Sequence, residues 1–299
     1  MNLIKYITSG VFLAIVGVVM FSAKAVIVKM AYKYNVSSMH LLLFRMLFSL
    51  PFYLVLMVVY KKKEKEIIKK KDYLWIFFFG FIGYYLASYF DFLGLQYIKA
   101  SLERIILFVY PTLVLLLSRL IFKTKINSKQ VVAIILTYLG VLITFWGEVD
   151  LKGDEVVLGG FLIFLSALTY ASYLVGSGWL IPKFGVVLFT SYAMIISTVC
   201  VIIHYLIIDR TNILIYNSEV YFLAFIMAVV STLIPSFLVS AAIKKINAQN
   251  FSIIGSIGPI STILLACFFL GESLSYLQII GTIVVITGIF FVSKSKNRN

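Results

Sequence analysis

The chain has 299 residues, of which 62% are hydrophobic and only 13% charged, with a formal net charge of +14. A soluble domain carries about 25% charged residues and about 45–50% apolar ones, so this chain lacks the polar groups to cover a water-facing surface. Its solvent is lipid, and the composition excludes a soluble enzyme or nucleic-acid-binding domain despite the positive charge.

Apolar runs of about 18–25 residues are long enough to cross a ~30 Å hydrocarbon core as helices. Ten are expected, over 7–31, 39–60, 73–97, 99–121, 128–146, 157–180, 185–208, 220–242, 248–270 and 276–293. The third and fourth are separated only by Lys99 and its neighbours. Lys5, the apolar stretch after it and Ala23-Lys24-Ala25 within the first run loosely imitate a signal peptide, but cleavage there would remove most of that span. Between the second and third lies the basic run from Lys61 to Lys71, read as a solvated cytoplasmic loop able to meet anionic headgroups. Cys200 and Cys267 sit alone in apolar runs, a spacing that suits neither a disulfide framework nor a metal site.

Lysine and arginine counts in short loops orient the chain. With the N-terminus inside, the inner segments hold Lys5, seven lysines from Lys61 to Lys71, Arg119, Lys123, Lys125, Lys129, Lys183, Lys244, Lys245, Lys294, Lys296 and Arg298. The outer loops hold only Lys33, Lys99, Lys152 and Arg210. Both termini are therefore expected in the cytoplasm, with the chain in the plasma (bacterial inner) membrane.

An offset of 148 residues aligns the two halves without a gap, pairing Ala100 with Ala248, Pro111 with Pro259, Gln130 with Gln278 and Gly140 with Gly288. Near the start an offset of 150 pairs Gly10 with Gly160 and Ser22 with Ser172. Five spans per copy is an odd number, so the second copy, 148–299, enters the membrane from the side opposite to the first, 1–147. The expected fold is an all-α integral membrane protein of ten transmembrane helices in two inverted five-helix repeats, an architecture of secondary transporters. Pro111 and Pro259 fall near the middle of equivalent spans, where a proline removes a hydrogen bond and frees a carbonyl. They are read either as hinges or as static kinks.

Several segments resemble the EamA-type members of the drug/metabolite transporter superfamily. Phe21-Ser22-Ala23-Lys24-Ala25-Val26-Ile27-Val28-Lys29 is similar to that family's first helix, and His40 to Pro51, with Arg45 inside, to its second. Asp91 to Arg104, running into Tyr110-Pro111-Thr112, resembles its third-to-fourth helix junction, and Phe269-Leu270-Gly271-Glu272 the close of its ninth. The resemblance covers nearly the whole chain. It implies a carrier of small metabolites, often an exporter of amino acids or related compounds.

Five ionisable residues, Lys24, Arg45, Asp91, Glu103 and Arg104, lie inside predicted spans. Each costs at least ~2.5–3.5 kcal/mol at bilayer depth. The topology puts all five roughly 6–10 Å below the outer boundary on four helices. Two ion pairs among them leave one cation, so Arg45 or Arg104 is the expected anchor for a carboxylate, with Asp91 or Glu103 taking an ammonium. The alternative is a structural network without a ligand, in which Lys24 snorkels; Lys29 is read as a snorkelling anchor. An aromatic set adds Tyr84, Tyr85, Tyr89, Tyr170 and Tyr173, with Ser172 beside them and Tyr110 next to the proline. His204 is placed at the outer interface.

The leading reading is a secondary carrier of zwitterionic or anionic metabolites working by alternating access, with a small-molecule substrate, the lipid bilayer and a coupling proton as candidate partners. It needs no cofactor, and nothing in the sequence matches a phosphate-binding nucleotide loop. A flippase of lipid-linked substrate is a variant. An intramembrane lipid-modifying enzyme is the runner-up, set back because His40 and His204 lack a nearby acid partner in sequence.

Overall fold

The computed structural model describes residues 2–61, 68–98, 103, 106–144, 154–270 and 275–293. The helices are α1 (Asn2–Tyr32), α2 (Ser38–Lys61), α3 (Lys70–Gly80), α4 (Ala87–Tyr97), α5 (Tyr110–Phe122), α6 (Ser128–Thr144), α7 (Asp154–Ile208), α8 (Ser218–Ala228), α9 (Ile234–Ile254), α10 (Ile257–Leu270) and α11 (Tyr276–Ser293). No strand occurs among the described residues. Five stretches are long and apolar enough to cross a membrane: Gly10–Tyr32, Ser38–Lys61, Lys70–Tyr97, Glu155–Ile208 and Ser218–Ile254. Shorter apolar helices at Tyr110–Phe122, Ser128–Ile143 and Ile279–Gly288 pack beside them. This is an all-α membrane protein.

Helix suits these long continuous apolar runs, since it satisfies every backbone polar group within its own segment once water is gone. The long helices nevertheless carry defined interruptions. Gly185 adopts φ 76° and ψ 165° inside α7, a left-handed excursion that glycine makes without steric cost and that reverses the chain. Asn247 does the same within α9 at φ 63°, as does Asn35 between α1 and α2 at φ 57°. Asn35 and Gly185 are 150 residues apart. Two π-helical turns, Phe81–Leu86 between α3 and α4 and Val229–Leu233 between α8 and α9, begin 148 residues apart. Each widens its helix by one residue, as π-bulges do.

The prolines sit differently from the mid-helix positions expected of them. The α-helical bonding gives way before each to i→i−3 bonds, from Val109 to Ile106 in one half and from Ser256 to Ile253 and Gly258 to Gly255 in the other. Pro111 then falls in the first turn of α5 and Pro259 in the first turn of α10. A first-turn N–H has no partner within its helix, so a proline there removes nothing. The kinks belong to tightened turns that the prolines follow.

Helix ends gather on two faces. Lys29 Nζ donates to the carbonyls of Leu95 and Ile98 at 2.8 and 3.1 Å, and Tyr32 Oη to that of Phe92 at 2.9 Å. These bonds tie the end of α1 to the last two turns of α4. Lys29 is therefore a helix C-cap that satisfies orphan carbonyls and complements the negative end of the α4 dipole, in place of a snorkelling anchor. On the opposite face Gln249 bonds Thr124 at 2.9 Å, Gln130 bonds Asn250 at 3.1 Å, and Lys183 bonds Asp72 at 2.6 Å. That second face also carries Lys61, Lys69, Lys70, Lys71, Lys123 and Lys125.

Helices α6 and α11 meet at two glycines. A Cβ on Gly140 would lie 2.6 Å from Val285 Cγ2 and 2.7 Å from the Gly281 carbonyl oxygen, and one on Gly288 2.9 Å from Thr137 Cγ2 and 3.0 Å from the Ala133 carbonyl oxygen. The helices run antiparallel and the contact is reciprocal, because 133, 137 and 140 become 281, 285 and 288 on adding 148. Backbone approach through small residues is how helices associate where lipid supplies no hydrophobic drive. Gly140→Val and Gly288→Val are each expected to destabilise the protein by about 1–3 kcal/mol through overpacking. Thermal unfolding of the purified protein in detergent should show a lowered midpoint for each, with little change for Gly160→Ala, whose site has more room.

Candidate functional site

A cavity of about 900 Å³, its open mouth included, lies between α1, α2, α4, α7 and the turns before α5 and α10. The charged end of the cavity is built by α1, α2 and α4. Lys24 Nζ pairs with Asp91 Oδ2, with the side chains 15% and 2% exposed, so the acid is sealed and the amine keeps contact with water. Arg45, buried on α2, donates from Nη2 to Ser88 Oγ at 2.9 Å. Its guanidinium stands 5.2 Å from the ring centre of Phe92, with Lys24 Nζ at 6.0 Å from the same ring. Arg45 Nε has no hydrogen-bond partner among the described residues. Phe92 thus serves as an aromatic platform under two cations, which attract its face electrostatically.

The heptad logic of α4 brings these groups together. Ser88, Asp91, Phe92 and Leu95 recur at three- and four-residue spacing, which puts them on one face of the helix, and all are buried. Seven residues back from Asp91, about 10 Å along the helix, Tyr84 in the first π turn lines the cavity's other end. There Tyr84 meets Tyr173 with ring centres 4.7 Å apart, and Tyr110 meets Tyr170 at 5.5 Å. Tyr110 Oη lies directly against the backbone of Gly255, where a Cβ would overlap it, so only glycine permits this ring position. Ser22 Oγ donates to the carbonyls of Val18 and Gly258 at 2.8 and 3.1 Å, holding α1 to the turn before α10.

The structure brings Lys24, Arg45, Tyr84, Asp91, Tyr110, Tyr170 and Pro259 of the expected residues to one cavity. Glu103 is buried outside the lining and acts electrostatically on Lys29. Arg104 lies outside the described residues. Pro111 is buried beside Tyr110 without lining the space. Tyr89 packs on His204, ring centres 4.7 Å apart, and Tyr85 Oη bonds His204 Nδ1 at 2.9 Å, away from the cavity. His204, four residues before the end of α7, keeps the near-terminal position expected of it, with Tyr85 and Tyr89 against its ring. His40 has an acid after all: its Nε2 is 3.3 Å from Asp209 Oδ2, and its Nδ1 2.6 Å from Tyr216 Oη. That cluster joins α2 to the segment following α7.

Sequence reasoning missed Ser88, Phe108, Thr232, Phe251 and Gly255 as lining residues. The offset of 148 held a usable signal, since Tyr84 and Thr232, Leu107 and Gly255, and Tyr110 and Gly258 are mates in that register, and every one lines the cavity. Leu107 and Gly255 stand four positions before the two prolines, where the carbonyl would otherwise receive the proline's missing N–H. The Gly255 carbonyl takes the Gly258 N–H at 2.9 Å instead.

A family model for the EamA-like transporter family matches residues 8–146 and again 157–294. This chain belongs to the EamA-like transporter family. It is 29% identical over 293 residues to the uncharacterized transporter YcbK of Bacillus subtilis (strain 168), covering 97% of this chain and 93% of that one. The uncharacterized transporter YyaM of the same organism is 25% identical, covering 80% and 79%. A solved crystal structure shares the fold, with a TM-score of 0.77 at 12% identity over 95% of this chain and 96% of that one. The chain is thus a multi-pass membrane protein of a transporter family.

Removing one member of the Lys24–Asp91 pair leaves the other as an uncompensated charge, a loss of about 3–5 kcal/mol for buried pairs. Lys24→Met and Asp91→Asn should each lower the thermal midpoint in detergent. The double variant should recover a large part of the loss, a coupling that a double-mutant cycle measures.

Proposed function

We propose that this protein is a secondary carrier that moves a small zwitterionic or anionic metabolite across the plasma membrane by alternating access. The charge count of the cavity carries the reading. Lys24 and Asp91 neutralise one another, and Arg45 adds a positive charge whose hydrogen-bonded partner in the cavity is a neutral hydroxyl. A carboxylate entering beside Arg45 would meet a planar donor fork with its Nε unengaged. An ammonium on the same molecule would compete with Lys24 for Asp91. The tyrosines and phenylalanines beyond suit an apolar remainder, as in sites where few polar groups fix orientation within apolar walls.

The scaffold in this reading is ten spans in two inverted five-helix halves, 1–147 and 148–299, with both termini in the cytoplasm. Its support is the repetition of features at one offset: the paired π turns, the reciprocal glycine contact, and the twofold family match. The interruptions at Gly185 and Asn247 divide the two long helical stretches where span ends are needed. The lysine-rich face is the cytoplasmic one by the charge rule.

The test is counterflow of labelled metabolites in proteoliposomes across a panel of amino acids, organic acids and neutral controls. Saturable exchange of a carboxylate-bearing compound is expected, and exchange of no compound in the panel would sink the carrier reading. Arg45→Gln should abolish that exchange while the purified protein keeps its helical content and monodispersity. Normal exchange by this variant would show that Arg45 is not the anchor.

A further inference from the structure

The cavity ends at Tyr84 and Thr232, but a line of hydroxyl groups continues past it toward the lysine-rich face. Tyr53 on α2 bonds Ser236 on α9, Oη to Oγ, at 2.9 Å and reaches the Thr232 carbonyl at 3.4 Å. One turn further along α9, Ser240 Oγ accepts from Thr190 Oγ1 of α7 at 2.7 Å. Ser177, on α7 ahead of the Gly185 reversal, lies at a similar level. Tyr53, Ser236, Ser240, Thr190 and Ser177 are all fully buried. By position along their helices, Thr232 is about 22 Å from the helix ends at that face, Ser236 and Tyr53 about 12–17 Å, and Ser240, Thr190 and Ser177 about 8–12 Å.

We infer that this seam is the closed half of the substrate route, and that the Tyr53–Ser236 and Thr190–Ser240 contacts form its gate on the lysine-rich side. The inference rests on the carrier reading above. Most other buried serine and threonine hydroxyls in the described chain bond to their own helix, as Thr198 does to Met194 and Ser231 to Met227, which satisfies the group without linking elements. On the seam two successive hydroxyl pairs, Tyr53 with Ser236 and Thr190 with Ser240, bond across helices, while Ser177 bonds the Tyr173 carbonyl of its own helix. Hydroxyl-to-hydroxyl bonds exchange for bonds to water at small net cost, so a gate closed by them opens onto an already wettable wall. An apolar closure would have to hydrate methyl groups at each cycle. The seam also supplies alternating donors and acceptors to a polar substrate after it leaves Arg45.

Small hydroxyl residues also promote close helix packing in membranes, and thiol labelling separates the two roles. In a chain with Cys200 and Cys267 replaced by alanine, single cysteines are placed at Ser236, Ser240 and Thr190 on the seam. Further single cysteines go at Ser22 in the cavity and at Ala242, a fully buried position off the seam. An anionic methanethiosulfonate is applied to right-side-out and inverted vesicles. Cysteines at 236, 240 and 190 should react from the lysine-rich side roughly tenfold faster than the cysteine at 242, since a minor state populated at about 0.1–10% exposes them. A T190C/S240C pair should oxidise to a disulfide and protect the cysteine at 236 from that side. If the cysteine at 22 reacts while 236 and 240 stay as inert as 242, the seam is packing and the route lies elsewhere, with the carrier reading intact. Equal reaction at 242 and 240 also overturns the seam, because access is then general. If neither cavity nor seam reacts from either side, the carrier reading falls with it.

Discussion

A charge placed among helices in lipid has no bulk water to solvate it, so every ionised group at that depth must find its partner inside the protein. Asp91 is the group around which this chain is arranged. Its carboxylate holds Lys24 from α1, and its helix presents Ser88 to Arg45 from α2 and the Phe92 ring to both cations. Three helices are thereby fixed around one anion. The cavity is the space those helices cannot close, because two cations and a buried acid cannot be packed by methyl groups without leaving charge unsolvated. Its position, its net positive character and its aromatic far wall follow from that arrangement.

Much of this was legible from the residue order because lipid imposes simple rules. Helical spans, the lysine-rich side and the register of 148 each depend on patterns that survive without three-dimensional information. The lining of the cavity does not. Thr232 and Phe251 are ordinary residues in apolar runs, and only the approach of the turn before α10 to α1 brings them to the site. Lys29 looked like a residue reaching for the interface because its carbonyl partners, Leu95 and Ile98, are 66 and 69 positions away. The His40–Asp209 contact, 169 positions apart, was hidden for the same reason.

The prolines show a different kind of failure. Apolar runs continue through Pro111 and Pro259, so composition alone draws one helix where the backbone ends one turn and begins another. A proline in a first turn and a proline in mid-helix have the same neighbours in sequence; the difference lies in i→i−3 bonds that no residue type announces. The register of 148 was the better guide, because the tightened turns before the two prolines lie at neighbouring positions in it.

The three bonds that Lys29 and Tyr32 make to the last two turns of α4 lie about one to two turns from the Lys24–Asp91 pair on the same two helices. Together they act as a truss: α1 and α4 are pinned at two levels and cannot shear or splay without losing charged and neutral bonds at once. Any change of shape at this end of the molecule then has to come from helices other than this pair. The helix pair pinned in this way is also the one that carries the buried acid.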